Sequence, residues 1–323
     1  MFVRLLKGPQ PANILLIVLF SILLWLKLFW THDFASQTFF APFLKPEYLH
    51  IGNQQFLNTI LLFALIVFEA FYMVRLNFQY IFIDRRTYFP AFVYILWMTL
   101  MTGTNHFNAT VIANLFILIA FEDMLKTQIS RLNIRIIYRS GLLIGIAAMF
   151  YWPVILMVVP FWFFTLILHG LNWRGLIAQI LGAITPWIFI AFYYFMIDQI
   201  GVYQDITNSL TMQRNFPLSD DMRSIKIYVL IFLLLSAMWY HFTHVIDKKI
   251  IIRKYYNGLF WFLLTITASM LLIPSAGQAG IALAGIPATI FLANQYLITR
   301  SRIFPEINFS IFVAVAVVWV VMA

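Results

Sequence analysis

The stretch GLLIGIAAMFYWPVILMVVPFWFFTLILH, residues 141–169, decides the fold. Read as one helix, its 29 residues extend about 43 Å, more than the roughly 30 Å hydrocarbon core of a bilayer requires. Broken at Trp152-Pro153, it becomes a hairpin whose arms are each shorter than a standard span. Charge chooses between the two. A single crossing puts Arg174 and the group Lys248, Lys249, Arg253 and Lys254 outside. Two arms keep them on the same side as Lys126, Arg131, Arg135 and Arg139, as the preference of basic loops for the cytoplasm demands. Pro153, which lacks a backbone N–H, supplies the break. A hairpin is expected.

Working outward from it, apolar runs alternate with short polar links. Arg4 and Lys7 precede a first span over about 12–30, so the N-terminus is expected in the cytoplasm. No small-residue cleavage site follows that run, which reads as a retained helix. A polar outer loop covers 31–56, and span two runs from about Leu57 to Val74. Asp84, Arg85 and Arg86 mark an inner turn. Span three ends near Gly103, and the link Thr104-Asn105-His106-Phe107-Asn108 leads into span four, which ends at Glu122-Asp123. Span seven covers about 175–197, and a second outer loop runs from Asp198 to Lys226. Span eight ends near Val245, span nine reaches Pro274, and span ten starts after the link 275–280. A final run over 310–323 crosses outward. The expectation is an all-α polytopic protein of about 11 spans forming a single transmembrane domain, 1–323, with an external C-terminus.

Composition supports this class. Hydrophobic residues make up 63% of the chain and charged residues only 10%, against about 25% charged in soluble domains. Transmembrane β-strands would alternate over about ten residues, whereas these runs are continuously apolar. The net charge is +9, but 16 of the 21 Lys and Arg residues fall on the inner side of this assignment and 4 on the outer. Topogenesis and anionic lipid explain that distribution, so no nucleic-acid partner is expected. The absence of cysteine excludes disulfides, thiolate metal sites and cysteine nucleophiles. Trp25, Trp30, Trp97 and Trp187 stand at segment ends, where an amphipathic ring suits the headgroup level.

Polar groupings on the outer side are His32-Asp33, Lys45-Pro46-Glu47, the link containing His106, and the Asp198–Lys226 loop with Arg214. Asp33 follows the first span closely and is held near the membrane boundary. A carboxylate there can accept a proton from an acceptor hydroxyl while a lipid-borne phosphate leaves. The plainer reading is that these are ordinary interfacial loop residues. Lys27 and Glu69 are the only charged side chains placed inside spans, at depths that do not match; Lys27 is expected to snorkel outward and Glu69 to lie near the inner interface or bond a neighbouring helix, with a proton relay as the alternative for Glu69. Glu122 and Lys126, four apart, fit an ion pair at a helix end. His241, His244 and Asp247 share a face, but a solvated helix end is the better reading than a metal site. Nucleotide-binding and zinc-protease motifs are absent, and neither a cofactor nor a metal is implied.

From Asn114 onward the order of features is Tyr138-Arg139-Ser140-Gly141-Leu142-Leu143-Ile144-Gly145-Ile146-Ala147-Ala148, then Tyr151-Trp152-Pro153, then Asn172-Trp173-Arg174, then a span with Pro186, and late the run Gly280 to Ala288. This layout resembles the core of the GT-C glycosyltransferases, multi-pass enzymes that use polyprenyl-phosphate-linked sugars. The whole chain is similar to a bacterial multi-pass inner-membrane family. The resemblance implies a membrane transferase acting at the outer face, with Asp33 as catalytic base and His32, His106 and Arg214 binding phosphate or sugar. Its partners would be membrane lipids, polyprenyl phosphate among them. Departures from the pattern are a single acid in place of an Asp-Glu pair, a short first loop, and Tyr151 where many relatives carry a cation. A non-catalytic subunit scaffolding an envelope-assembly or protein-export complex is the alternative.

Overall fold

A computed structural model of the protein describes residues 8, 10, 12–31, 55–83, 86–102, 107–129, 133–197, 222–244, 248–272, 280–299 and 303–322. Apart from short connections these residues are helical, with no strand among them. In chain order the helices are α1 (Ala12–Trp25), α2 (Leu28–Thr31), α3 (Gln55–Tyr80), α4 (Phe89–Met101), α5 (Phe107–Ile129) and α6 (Ile134–Phe150). A 3-10 turn, Trp152–Met157, opens α7 (Val158–His169), and α8 (Trp173–Met196), α9 (Met222–His244) and α10 (Ile250–Leu272) follow. The last are α11 (Gly280–Leu283), α12 (Gly285–Ile298) and α13 (Ile303–Met322).

Five helical segments among the described residues are long and apolar enough to cross a membrane: Phe56–Tyr80, Trp152–His169, Trp173–Met196, Ile225–Thr243 and Ile303–Met322. Their outer faces carry exposed Ile188, Phe189, Phe192, Phe232, Leu235 and Trp239, an apolar surface that only lipid solvates without penalty. The chain is an all-α membrane protein.

The hairpin at Trp152-Pro153 is borne out by the order of contacts. Ile137 packs on Gly175, Gly141 on Gln179, and Gly145 on Ala183 and Pro186, so α6 and α8 run parallel. The chain between them must therefore reverse, and α7 does so. Its His169 meets Thr127 at 2.9 Å and its Phe164 ring lies 5.5 Å from that of Phe121, alongside and parallel to α5. Pro153 lies at the N-terminal end of the 3-10 turn, where its missing N–H costs nothing. Gly170, at φ +76°, ends α7 in a conformation that disfavours a Cβ, and the Asn172 side chain caps α8 by accepting from Gly175 N at 3.3 Å. Small residues let the parallel pair approach: a Cβ at Gly141, Gly145 or Gly182 would collide with the carbonyl oxygen of Gln179, Ala183 or Tyr138 respectively. Close approach through small residues is how helices associate where no hydrophobic effect drives them together.

Every residue of α4 is buried. At 13 residues it is about 20 Å long; it is enclosed by α1, α3, α12 and α13 and needs no match to the bilayer thickness. Two tryptophans expected at the headgroup level instead fasten this centre. Trp25 donates from Nε1 to Thr99 Oγ1 at 2.8 Å, and Trp97 donates to the carbonyl of Ile281 at 3.1 Å. An amphipathic ring serves an interhelical hydrogen bond as well as an interface, and these two rings are buried. Further corrections concern ends. The last helix begins at Ile303, ahead of 310, with Pro305 and Glu306 in its first turn, both favoured there. Span ten is broken at Ala284 between α11 and α12. Lys226, assigned to an outer loop, lies within α9 and is buried.

Candidate functional site

Helix direction gathers the described Arg75, Lys126, Arg135, Arg139, Arg174, Lys248, Lys249, Arg253 and Lys254 near one end of the bundle, here the basic end. The expected Glu122–Lys126 pair is present at 2.8 Å and belongs to a larger cluster. Tyr72 donates its hydroxyl proton to Glu122, Arg75 lies 3.6 Å from the same carboxylate, and Lys126 is 3.6 Å from Asp123. Arg139 engages Asp123 through both Nε, at 2.6 Å, and Nη2. Both carboxylates are buried, so α3, α5 and α6 are tied by paired charges that desolvation makes costly to separate. This cluster holds the fold, with both of its acids engaged in ion pairs.

Glu69 lies deeper. It is about 21 Å from the start of α3 and about 16 Å from its end, and fully buried. As expected it does not pair with Lys27 and bonds a neighbouring helix: Tyr94 of α4 donates to Glu69 Oε2 at 2.6 Å. Asn114 of α5 faces the same hydroxyl, and its Nδ2 donates to the carbonyl of Ala282 at 3.0 Å. That carbonyl and the Ile281 carbonyl held by Trp97 belong to the last residues of α11, just ahead of the break at Ala284. Trp97 and Asn114 so bond the backbone just ahead of the break, where Ala284 N also donates to the Ile281 carbonyl at 3.1 Å.

At the end opposite the basic one, four helix ends meet around Trp319 of α13. The Lys226 ammonium lies 3.4 Å from the centre of the Trp319 ring. Trp319 Nε1 donates to Thr102 Oγ1, just past α4, at 3.2 Å. Lys27, between α1 and α2, is exposed and donates to the Val321 carbonyl at 2.6 Å, which agrees with the expected outward snorkel. A lysine over a tryptophan face gains an attraction that strengthens as water is removed.

The residues expected to carry chemistry, His32, Asp33, His106 and Arg214, lie outside the described residues, as do Lys45, Glu47 and Asp205. The described structure reaches the roots of their loops: Lys27 precedes Asp33 by six residues, Thr102 precedes His106 by four, and Lys226 follows Arg214 by twelve. Those three roots are the ones joined through Trp319 and Val321. Sequence reasoning missed Lys226 as a buried cation, Tyr94 as the partner of Glu69 and Asn114 as the residue facing Tyr94. The available signal was a polar side chain inside an apolar run.

His241 is corrected. It is buried, with its ring stacked 4.0 Å from that of Tyr256 and edge-on to Phe291 at 5.4 Å, so it is packed rather than solvated. Lys248 spans this layer, 4.5 Å from the Tyr256 ring and 2.5 Å from Asn294 Oδ1. No group of three or more metal-binding side chains occurs among the described residues. Tyr151, standing where a cation was expected, is fully buried beside Gly280.

Over residues 39–323 the chain matches the family described as "Family of unknown function (DUF6427)", and it belongs to that family. No curated protein and no solved structure matches it.

Proposed function

We propose that this chain is a GT-C-like transferase of the bacterial inner (cytoplasmic) membrane, acting at the outer face on a polyprenyl-phosphate-linked sugar. In this reading it crosses the membrane eleven times, with the basic end in the cytoplasm. Asp33 takes the proton of an acceptor hydroxyl as its oxygen bonds to the sugar carbon, and the bond from that carbon to the phosphate oxygen breaks. The polyprenyl phosphate leaves with the electron pair. His32, His106 and Arg214 bind phosphate or sugar.

The observation that carries this reading is the meeting of Lys27, Thr102 and Lys226 around Trp319 and Val321. These are the roots of the loops bearing all four expected site residues. Lys226 and Lys27 bring two positive charges to that end, which answers the loss of a cation at Tyr151 by supplying neutralisation from other helices. Cations aimed at a leaving phosphate act where charge develops.

The test is lipid analysis of the protein purified in mild detergent. The reading expects polyprenyl phosphate enriched over its share of the bulk membrane, and loss of the enrichment in Lys226→Met. A lipid profile equal to the bulk, together with a stoichiometric protein partner, overturns it in favour of a non-catalytic subunit of an envelope complex.

A further inference from the structure

Glu69 and Asn114 are fully buried, and each has an acceptor oxygen, Oε1 and Oδ1, with no hydrogen-bond partner among the described residues. Buried oxygen acceptors left unmade typically cost about 1–3 kcal/mol apiece. Here the two are not scattered. Their residues meet at one hydroxyl, that of Tyr94, which donates to Glu69 Oε2 at 2.6 Å and faces Asn114. Asn114 in turn holds the Ala282 carbonyl, where the helix breaks between α11 and α12.

The donor set is carboxyl, amide, phenol and main-chain carbonyl, all hard oxygens, and it contains no nitrogen or sulfur ligand. Hard oxygen donors around one carboxyl, at a broken helix deep in the bundle, suit a small monovalent cation, and transporters bind sodium or protons in such surroundings. The groups facing Glu69 are few. From α4 there is Tyr94, and Asn114 of α5 faces the Tyr94 hydroxyl beside it. One turn toward the basic end, Tyr72 of its own helix is engaged with Glu122. No charged side chain contacts it among the described residues.

The geometry points to a membrane-embedded site for a single monovalent cation, a proton or sodium ion, with Glu69 Oε1 and Asn114 Oδ1 as the accepting oxygens and Tyr94 holding the carboxyl in place. The site is separate from the loops proposed to carry transfer chemistry, and it stands whether or not the chain is a transferase.

Dicyclohexylcarbodiimide, an apolar reagent for protonated carboxyls, tests it on the full-length protein in detergent, read by mass spectrometry of the Glu69 peptide. The site predicts labelling that falls as the pH rises and the carboxyl loses its proton. Protection by sodium but not potassium at fixed pH identifies sodium as the ion; titration indifferent to sodium identifies the proton. Glu69→Gln removes the label. Tyr94→Phe and Asn114→Leu, both close in shape to the native residues, shift the half-labelling point by about one pH unit or more, a tenfold change in ion affinity. Labelling absent at every pH, or present but indifferent to both pH and sodium, overturns the proposal. So does an unmoved half-labelling point in both variants when they elute from size exclusion as the native protein does.

Discussion

Lys226 places its ammonium group 3.4 Å from the centre of the Trp319 ring, joining the first turns of α9 to the last turn of α13 beside the segments that lead in sequence to Asp33, His106 and Arg214. Lys226→Met keeps the buried stem and removes the charge. The expected result is a protein of nearly native melting temperature, because a cation–π contact of this kind contributes about 1–2 kcal/mol. Its affinity for polyprenyl phosphate is expected to fall by about tenfold or more, the scale of one charged hydrogen bond. A thermal-shift titration with polyprenyl phosphate in detergent reads both quantities.

The parallel pair α6 and α8 depends on glycine where the backbones touch. Gly145→Leu drives a side chain into the Ala183 carbonyl and Pro186, and overpacking of this kind costs about 1–3 kcal/mol or more. Ile177→Leu, on the exposed face of α8, is expected to be neutral. Melting in detergent, followed by tryptophan fluorescence, separates the two; equal melting temperatures contradict the packing.

The ionic cluster at the basic end is predicted to be uneven. Arg139→Ala leaves the buried Asp123, among the described residues, with the more distant Lys126, and removing one partner of a buried pair costs about 3–5 kcal/mol. Lys126→Ala, which removes a partly exposed lysine from carboxylates that keep Arg75 and Arg139, should cost about 1 kcal/mol or less. Abundance in membranes and the melting temperature rank the variants.

Much of this architecture was legible in the sequence, for definite reasons. Charge parity and Pro153 placed the hairpin because both act locally and each has one reading. The full burial of α4 was not legible, since a lipid-facing and a protein-facing apolar run look alike. Trp25, Trp97 and His241 were misplaced for a related cause: an amphipathic ring suits a headgroup, a solvated end or an interhelical bond equally, and only the partners Thr99, Ile281 and Tyr256 decide. The break at Ala284 was hidden within a continuous apolar run. Glu69 was conspicuous as a lone acid in a span, but its partner Tyr94, and Asn114 beyond it, come from helices that only the packing brings together.

The proposed orientation, with the basic end in the cytoplasm, is tested with reporters. A reporter fused after Arg174 should be active in the cytoplasm, and one fused after Ala323 should be active outside it. A cytoplasmic reading at Ala323 contradicts either the reversal at Pro153 or the outward direction of α13.

The functional account stands or falls on Asp33. A carboxylate base contributes about 10²- to 10⁴-fold to rate, and Asp33→Asn is nearly isosteric. Complementation of a deletion strain with Asp33→Asn, scored beside the amount of protein in the membrane, is the direct measurement. The account predicts loss of function at native abundance; full rescue at native abundance contradicts it and removes Asp33 as the base.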